Sequence, residues 1–233
     1  RVSHACNELA WLGKYWFKSG SYVKWEGKPV LLSFGHSGLS NKEWSRCLSR
    51  LDSSVAYFSQ DIRRDGASGG FGWPSPKAGM QQVDHFLATS KKWPSAIPAA
   101  FPRFDDIYRE AGVSEGFPQL RDKDGRTLKD TLRKALRADA PIVQIATWND
   151  WGEGTQIEPS RDSQYRDLEI VQTILREEKL TTFRESDLQL PHRLLMAHRA
   201  GISKDKTDGI AQSIIAGRLD AATKALNQLS EPD

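Results

Sequence analysis

A short apolar run, Pro141-Ile142-Val143-Gln144-Ile145-Ala146, passes without a break into Thr147-Trp148-Asn149-Asp150-Trp151-Gly152-Glu153-Gly154-Thr155-Gln156-Ile157-Glu158-Pro159-Ser160. The first part, rich in β-branched residues, predicts a buried parallel strand, because such strands are covered on both faces and read as continuous apolar runs. The second part then lies at that strand's C-terminal end. It gathers two carboxylates (Asp150, Glu153), two amides (Asn149, Gln156), two indoles (Trp148, Trp151) and glycines that let the backbone bend sharply. Folding alone rarely needs that mixture. A pocket that protonates a glycosidic oxygen, activates a nucleophile and stacks a sugar ring needs all of it.

Other readings of single residues stay open beside this one. Asp150 and Glu153 could cap a following helix or form surface ion pairs, although a cap needs only one carboxylate and leaves the interleaved aromatics and amides unexplained. Trp148 and Trp151 suit a core as well as a sugar-stacking platform, and Asn149 would orient a carboxylate or contact a sugar hydroxyl. Glu158 is read as a residue that orients or caps the loop.

The segment closely resembles the signature of the glycoside hydrolase family 99 and 71 group, (β/α)8-barrel enzymes acting on α-linked glycans. Family 99 endo-α-mannosidases carry Trp-Asn-Glu-Trp-x-Glu-Gly-Thr-Gln-Ile-Glu-Pro, and the catalytic pair of that pattern falls on Asp150 and Glu153 here. Aspartate at the first position sets the carboxylate back by one carbon–carbon bond, roughly 1.5 Å. Family 71 α-1,3-glucanases, with a Trp-Asn-Asp-Tyr-Gly-Glu pattern, provide a precedent for Asp150, whereas Gly154 to Pro159 follows family 99. A weaker resemblance runs from Tyr22 to about Glu169, through Gly27-Lys28-Pro29-Val30, Gly72-Trp73-Pro74 and Phe101-Pro102-Arg103-Phe104-Asp105-Asp106. The resemblance implies an α-glycan hydrolase that works with two carboxylates and no metal or cofactor. Glu153 would be the general acid. Asp150 would act on the sugar 2-hydroxyl, as the corresponding residue does in family 99, or on water.

Along the chain, helices are expected at His4 to Lys18, Asn41 to Leu51, Lys77 to about Lys91, Arg126 to Ala138 and Ser163 to Glu178. Strands are expected at Pro29 to Gly35, Ser53 to Ser59, Ala96 to Phe101 and Pro141 to Thr147, with a long glycine-rich loop from Gln60 to Pro76. Four strands, each followed by a helix, make half of an eight-stranded barrel. Because the signature lies late in the barrels it resembles, residues 1–187 are read as the C-terminal half of a (β/α)8 catalytic domain; a self-contained small α/β domain is the alternative. Residues 188–233 carry no strand signal and are read as a helical extension, with helices near His192 to Ala200, Asp205 to Ala216 and Leu219 to Leu229. That extension is structural in this reading, or else a partner-docking tail.

In a barrel the C-terminal ends of the strands form the functional face. His36, just past the first expected strand, and Trp73, in the glycine-rich loop, therefore join Trp148, Asn149, Trp151 and Gln156 as candidate substrate-binding residues. Asp61, Arg63, Arg64 and Arg103 are candidates by position alone. Asp122-Lys123-Asp124-Gly125 lacks the ligand pattern of a calcium loop and is read as a turn, and His192 and His198 do not share the spacing of a zinc pair.

The 233 residues carry a formal charge of only +3, with the basic residues scattered, so no nucleic-acid footprint is expected, and no apolar run has the length for membrane insertion. The expected partner is a carbohydrate. A carbohydrate-binding protein without turnover and a helical interaction module are the rival classes. Cys6 and Cys47 exclude a disulfide-dense scaffold and are read as two buried thiols ahead of a single bridge. Localisation is left open, with a secreted or periplasmic setting ahead of others.

Overall fold

A computed structural model describes residues 1–35 and 38–229. The chain divides into two compact units, Arg1–Ile157 and Glu158–Asp233. No helix of the described residues is long and apolar enough to cross a membrane.

The first unit is a mixed α/β layer structure. Helix α1 (Val2–Tyr15) leads to a hairpin of β1 (Lys24–Trp25) and β2 (Lys28–Ser33), which pair antiparallel. Its two turn residues, Glu26 and Gly27, both have positive φ (50° and 75°), the geometry that matches the twist of a two-residue hairpin. Helix α2 (Asn41–Leu48) starts at a reciprocal cap: the Ser40 hydroxyl accepts from the Glu43 backbone, and the Glu43 carboxylate accepts from the Ser40 backbone. Then follow β3 (Ala56–Gln60), β4 (Gly69–Phe71), α3 (Met80–Ser90), β5 (Ser95–Ile97), β6 (Ala99–Ala100), α4 (Arg126–Leu136) and β7 (Gln144–Ile145). Strands β2 to β5 run parallel in spatial order, and β6 pairs parallel with β7.

Side chains alternate between two apolar layers, as a doubly covered sheet requires. Leu31 and Tyr57 face Cys6, Leu9, Phe17 and Cys47 of the helical layer. Ala56, Phe58, Phe71 and Ile97 point to the other face, where Trp25, Val30, Trp73 and Ile142 pack against them. The sheet is thus curled in the manner of a partial barrel.

The structure changes the sequence reading in four places. The expected glycine-rich loop contains strand β4, so the strands at Ser53 to Ser59 and Ala96 to Phe101 are not neighbours, and β3 reaches β4 without a helix. Glycine concealed that strand because it packs no side chain and weakens a strand signal. Here it is required by closeness: a Cβ on Gly69 would sit 1.9 Å from the Ser95 carbonyl oxygen, and one on Gly70 would sit 2.6 Å from that of Ile62. The Ala96 to Phe101 strand is two short strands flanking Pro98, which has no N–H for a ladder. Of Pro141 to Thr147, only Gln144–Ile145 is paired as strand, extended by the bond from Ala146 N–H to the Ala100 carbonyl.

The fourth correction concerns the cysteines, which form a disulfide rather than two free thiols, with Cα atoms 4.6 Å apart. The bridge joins α1 to α2 across 41 residues. Loop closure of that length is worth about 4 kcal/mol by the chain-entropy estimate. Spacing alone could not show that two helices would bring the pair together. The 122–125 segment is the expected turn, with Lys123, Asp124 and Gly125 all at positive φ.

The second unit is helical: α5 (Arg166–Glu177), a 3-10 turn at Glu185–Gln189, α6 (Leu190–Arg199), α7 (Lys204–Ile215) and α8 (Leu219–Gln228). Leu190, Ile210, Ala222 and Leu226 form its core. Gly217, at φ 71°, makes the turn between α7 and α8.

Two glycines should respond in opposite ways to alanine. Gly69→Ala should destabilise the fold by about 3 kcal/mol through overpacking against main chain. Gly209→Ala, inside α7 with nothing within 4 Å of the new methyl, should stabilise by about 0.5–1 kcal/mol. Thermal melts of the two variants check the sign, and an unaffected Gly69→Ala protein would contradict the close strand packing.

Candidate active site

The acidic loop leaves β7 at a base made by two threonines. Thr147 N–H donates to the Thr155 carbonyl (3.0 Å), Ile157 N–H donates to the Thr147 carbonyl (3.0 Å), and the two threonine hydroxyls lie 2.9 Å apart. Thr147 Oγ1 also accepts from Asp150 N–H at 3.0 Å. At the tip, Asp150 Oδ1 accepts from Glu153 N–H at 3.1 Å, a local side-chain turn of the kind aspartate favours. The Ala146–Thr147 peptide at the loop's entry is cis.

A second segment, just past β6, holds the tip. Asp105 N–H donates to the Glu153 carbonyl (2.9 Å) and Ile107 N–H donates to that of Gly152 (3.1 Å). The approach is so close that a Cβ on Gly154, at φ 64°, would meet the Asp105 carbonyl oxygen at 2.7 Å. Arg103 donates to the Gln156 carbonyl from the same segment at 3.2 Å. The segment is itself ordered by Asp106, whose carboxylate accepts from the Tyr108 and Phe117 amides at 3.0 and 2.8 Å.

The two candidate carboxylates therefore share one tight loop. Asp150 is exposed and Glu153 half-buried. Burial pushes the Glu153 carboxyl above the ordinary glutamate range; the Tyr108 hydroxyl, donating to Oε1 at 2.9 Å, pulls it back, and the negative charges of Asp150 and Asp106 push it up further. Tyr108 is pushed up to about 12, first by its bond to Glu153 and then by burial and the surrounding carboxylates. Sequence reasoning missed Tyr108. The only signal was its place two residues beyond the Phe101 to Asp106 run.

The other predicted residues differ in where the fold places them. Trp148 and Trp151 are 52% and 49% exposed on the loop. Asn149 is exposed beside them and its carbonyl accepts from Trp151 N–H. Gln156 Oε1 is buried and has no hydrogen-bond partner among the described residues, a cost of roughly 1–3 kcal/mol for an unmatched acceptor. Trp73 stands just past β4, at the same end of the parallel strands as the acidic loop. Its amide donates to Asp61 Oδ1 (3.2 Å) and its ring meets Phe34 edge-on at 5.2 Å. The Gln144 side chain bonds the Gly72 carbonyl, tying that loop to β7. His36 lies outside the described residues. Arg63 and Arg64 brace loop carbonyls at Ala67 and Leu39.

The raised Glu153 carboxyl makes a pH-dependent stability claim. It holds a proton to higher pH in the folded than in the unfolded chain, so stability falls as pH rises through the window between the two values. Below the ordinary glutamate value both states are protonated and the penalty vanishes. Glu153→Gln should therefore melt slightly higher than the parent at neutral pH, by well under about 1 kcal/mol because solvent screens the site. The gain should disappear in acid. Melting curves across pH check this, and a neutral-pH loss of stability would contradict it.

No sequence-family profile and no curated protein matches the chain. Solved structures do. A GH99 endo-α-mannosidase from Bacteroides thetaiotaomicron, in complex with bis-tris-propane, matches with a TM-score of 0.58 at 14% identity over 76% of this chain and 65% of that one. A second structure of a GH99 endo-α-mannosidase from the same organism matches with the same score and identity, with 62% of its chain covered. A glycoside hydrolase-like protein matches with a TM-score of 0.54 at 14% identity, with 61% of its chain covered. The chain thus spans somewhat less than two thirds of the length of these structures. At this level of identity the likeness concerns architecture, and by it the chain shares the partial-barrel fold of these structures.

Proposed function

We propose that the protein is a glycoside hydrolase acting on an α-linked poly- or oligosaccharide, with Glu153 as general acid and Asp150 as its partner carboxylate. The observation that carries the reading is Glu153: a half-buried carboxyl with raised proton affinity, on a loop at the C-terminal end of a parallel strand, beside a second carboxylate. A general acid must be protonated at working pH, and burial beside negative charge favours that state. The exposed rings of Trp148 and Trp151 would stack on sugar faces. Trp73, Asn149, Gln156 and, by its sequence position, His36 complete the proposed substrate contacts. Residues 1–187 are proposed as roughly the last four βα units of the barrel and 188–233 as its helical extension. The Cys6–Cys47 bridge favours an oxidising compartment.

In the proposed reaction Glu153 protonates the leaving oxygen as the glycosidic bond breaks, leaving Glu153 as a carboxylate. The electron-poor anomeric carbon is then taken either by the sugar's own 2-oxygen, deprotonated by Asp150, giving a 1,2-anhydro sugar that water opens as the Glu153 carboxylate takes the water's proton and Asp150 returns its own to the 2-oxygen, or directly by a water that Asp150 deprotonates. We favour the first, from the agreement of Gly154 to Pro159 with the family 99 wording. A second reading, a sugar-binding protein without turnover, draws on one observation: Asp150, already a methylene shorter than glutamate, spends Oδ1 on the Glu153 amide.

Two experiments separate these readings. Glu153→Gln should abolish hydrolysis of unactivated glycans while keeping binding within about tenfold, and an aryl glycoside with a good leaving group should be partly rescued. Full activity of Glu153→Gln on natural glycan would remove Glu153 from the acid role. Glycan binding by the parent with no turnover would favour the second reading. Proton NMR of the first-formed anomer should show retention, with Asp150→Asn inactive and Asp150→Glu more active than the parent. Inversion, together with a carboxyl separation in the range of about 6.5–9.5 Å in a substrate complex, would assign water activation to Asp150 instead.

A further inference from the structure

We propose that Tyr108 is a positioning residue for Glu153: its hydroxyl fixes the Glu153 carboxyl on the 105–108 segment and steadies the carboxylate left when the proton has gone. The inference rests on the acid role proposed for Glu153.

The geometry has three parts. The hydroxyl donates to Glu153 Oε1 at 2.9 Å, which leaves the other carboxyl oxygen as the one to carry a transferable proton. The main chain on either side of that contact is already locked, since Asp105 and Ile107 donate to the carbonyls of Glu153 and Gly152. The Tyr108 backbone is held in turn by Asp106, which accepts from its amide at 3.0 Å. Ring and carboxyl therefore meet across main chain that is already held in place, and only their own rotamers remain to be ordered by the contact.

The groups that face Glu153 are Asp150 on its own loop and Tyr108 and Asp106 on the other segment. Both aspartates oppose ionisation of Glu153, and Tyr108 alone among these favours it. Because the phenol is itself pushed up to about 12, it remains a donor throughout any ordinary working range. In the proposed step the proton passes from Glu153 to the leaving oxygen, which also keeps the electron pair of the broken bond. Tyr108 keeps its own proton and strengthens its donation as negative charge develops on Glu153.

The test reads Glu153 directly. In full-length protein carrying ¹³C-labelled glutamate, the Glu153 carboxyl is titrated by NMR, assigned by its loss in Glu153→Gln. Tyr108→Phe should move the midpoint to higher pH. Site-specific 3-fluorotyrosine at position 108, a stronger donor with the same shape, should move it to lower pH below the phenol's own titration. On an unactivated glycan, Tyr108→Phe should lower kcat by about tenfold, and it should leave an activated aryl glycoside nearly unchanged. A Glu153 midpoint unmoved by both substitutions overturns the proposal, as does an equal loss of kcat on the two substrates. If the midpoint moves as expected but the parent cleaves no glycan, the coupling of Tyr108 to Glu153 stands and the hydrolase reading fails.

Discussion

Two main-chain hydrogen bonds, from Asp105 to Glu153 and from Ile107 to Gly152, give the acidic loop its defined position. Without them, the segment after β7 would rest on its threonine base and on the side-chain bonds from Arg103 and Tyr108. With them, the loop is clamped between the ends of two paired strands, because β6 leads into the 101–107 segment and β7 into the 147–154 segment. The clamp also explains a residue choice. Gly154 has positive φ and lies where any Cβ would strike the Asp105 carbonyl, so the backbone requires glycine there whatever chemistry the loop performs.

That coupling shows why part of the site was legible in the sequence and part was not. Asp150, Glu153 and the flanking tryptophans are contiguous, and a strand followed by a polar, aromatic and glycine-rich turn is a local pattern. Tyr108 is 45 residues from Glu153. Its role in the site depends on β6 and β7 pairing, a long-range fact with no local trace. The same distinction runs through the fold. Helices α2 and α4 start where capping chemistry and periodicity put them, at Asn41 and Arg126. Strand β4 was hidden because its first two residues are glycines chosen for close approach to Ser95 and Ile62, and the loop reading of glycine was the wrong one of its two meanings. The disulfide was likewise a tertiary fact, created when α1 and α2 pack over Leu31 and Tyr57.

The electrostatics of the loop follow from the same packing. Clamping Gly152 and Glu153 onto the 105–108 segment brings Asp106 into the neighbourhood of Glu153, in addition to Asp150. Placing negative charges near a partly buried carboxyl is unfavourable for its ionised form. Each of the two aspartates also serves the local backbone, since Asp106 collects the Tyr108 and Phe117 amides and Asp150 collects that of Glu153. The charges that raise Glu153 are thus fixed by hydrogen bonds the loops need anyway.

Asp150 is where these demands meet most sharply. A carboxylate that accepts the Glu153 amide stabilises the turn, and aspartate suits that position because its short side chain reaches a backbone amide three residues on. A glutamate in its place would extend the carboxylate further from its own main chain by roughly 1.5 Å and would fit the local turn less well. The aspartate can therefore be understood as favouring turn geometry over reach. If Asp150 is the partner carboxylate of the proposed hydrolase, reach would have to come from elsewhere, through substrate settling deeper in the site or through a water between Asp150 and the sugar. The first alternative would preserve action at the 2-hydroxyl, and the second would turn the same residue into a base for water. In that proposal, loop geometry and reaction stereochemistry are linked through a single methylene group.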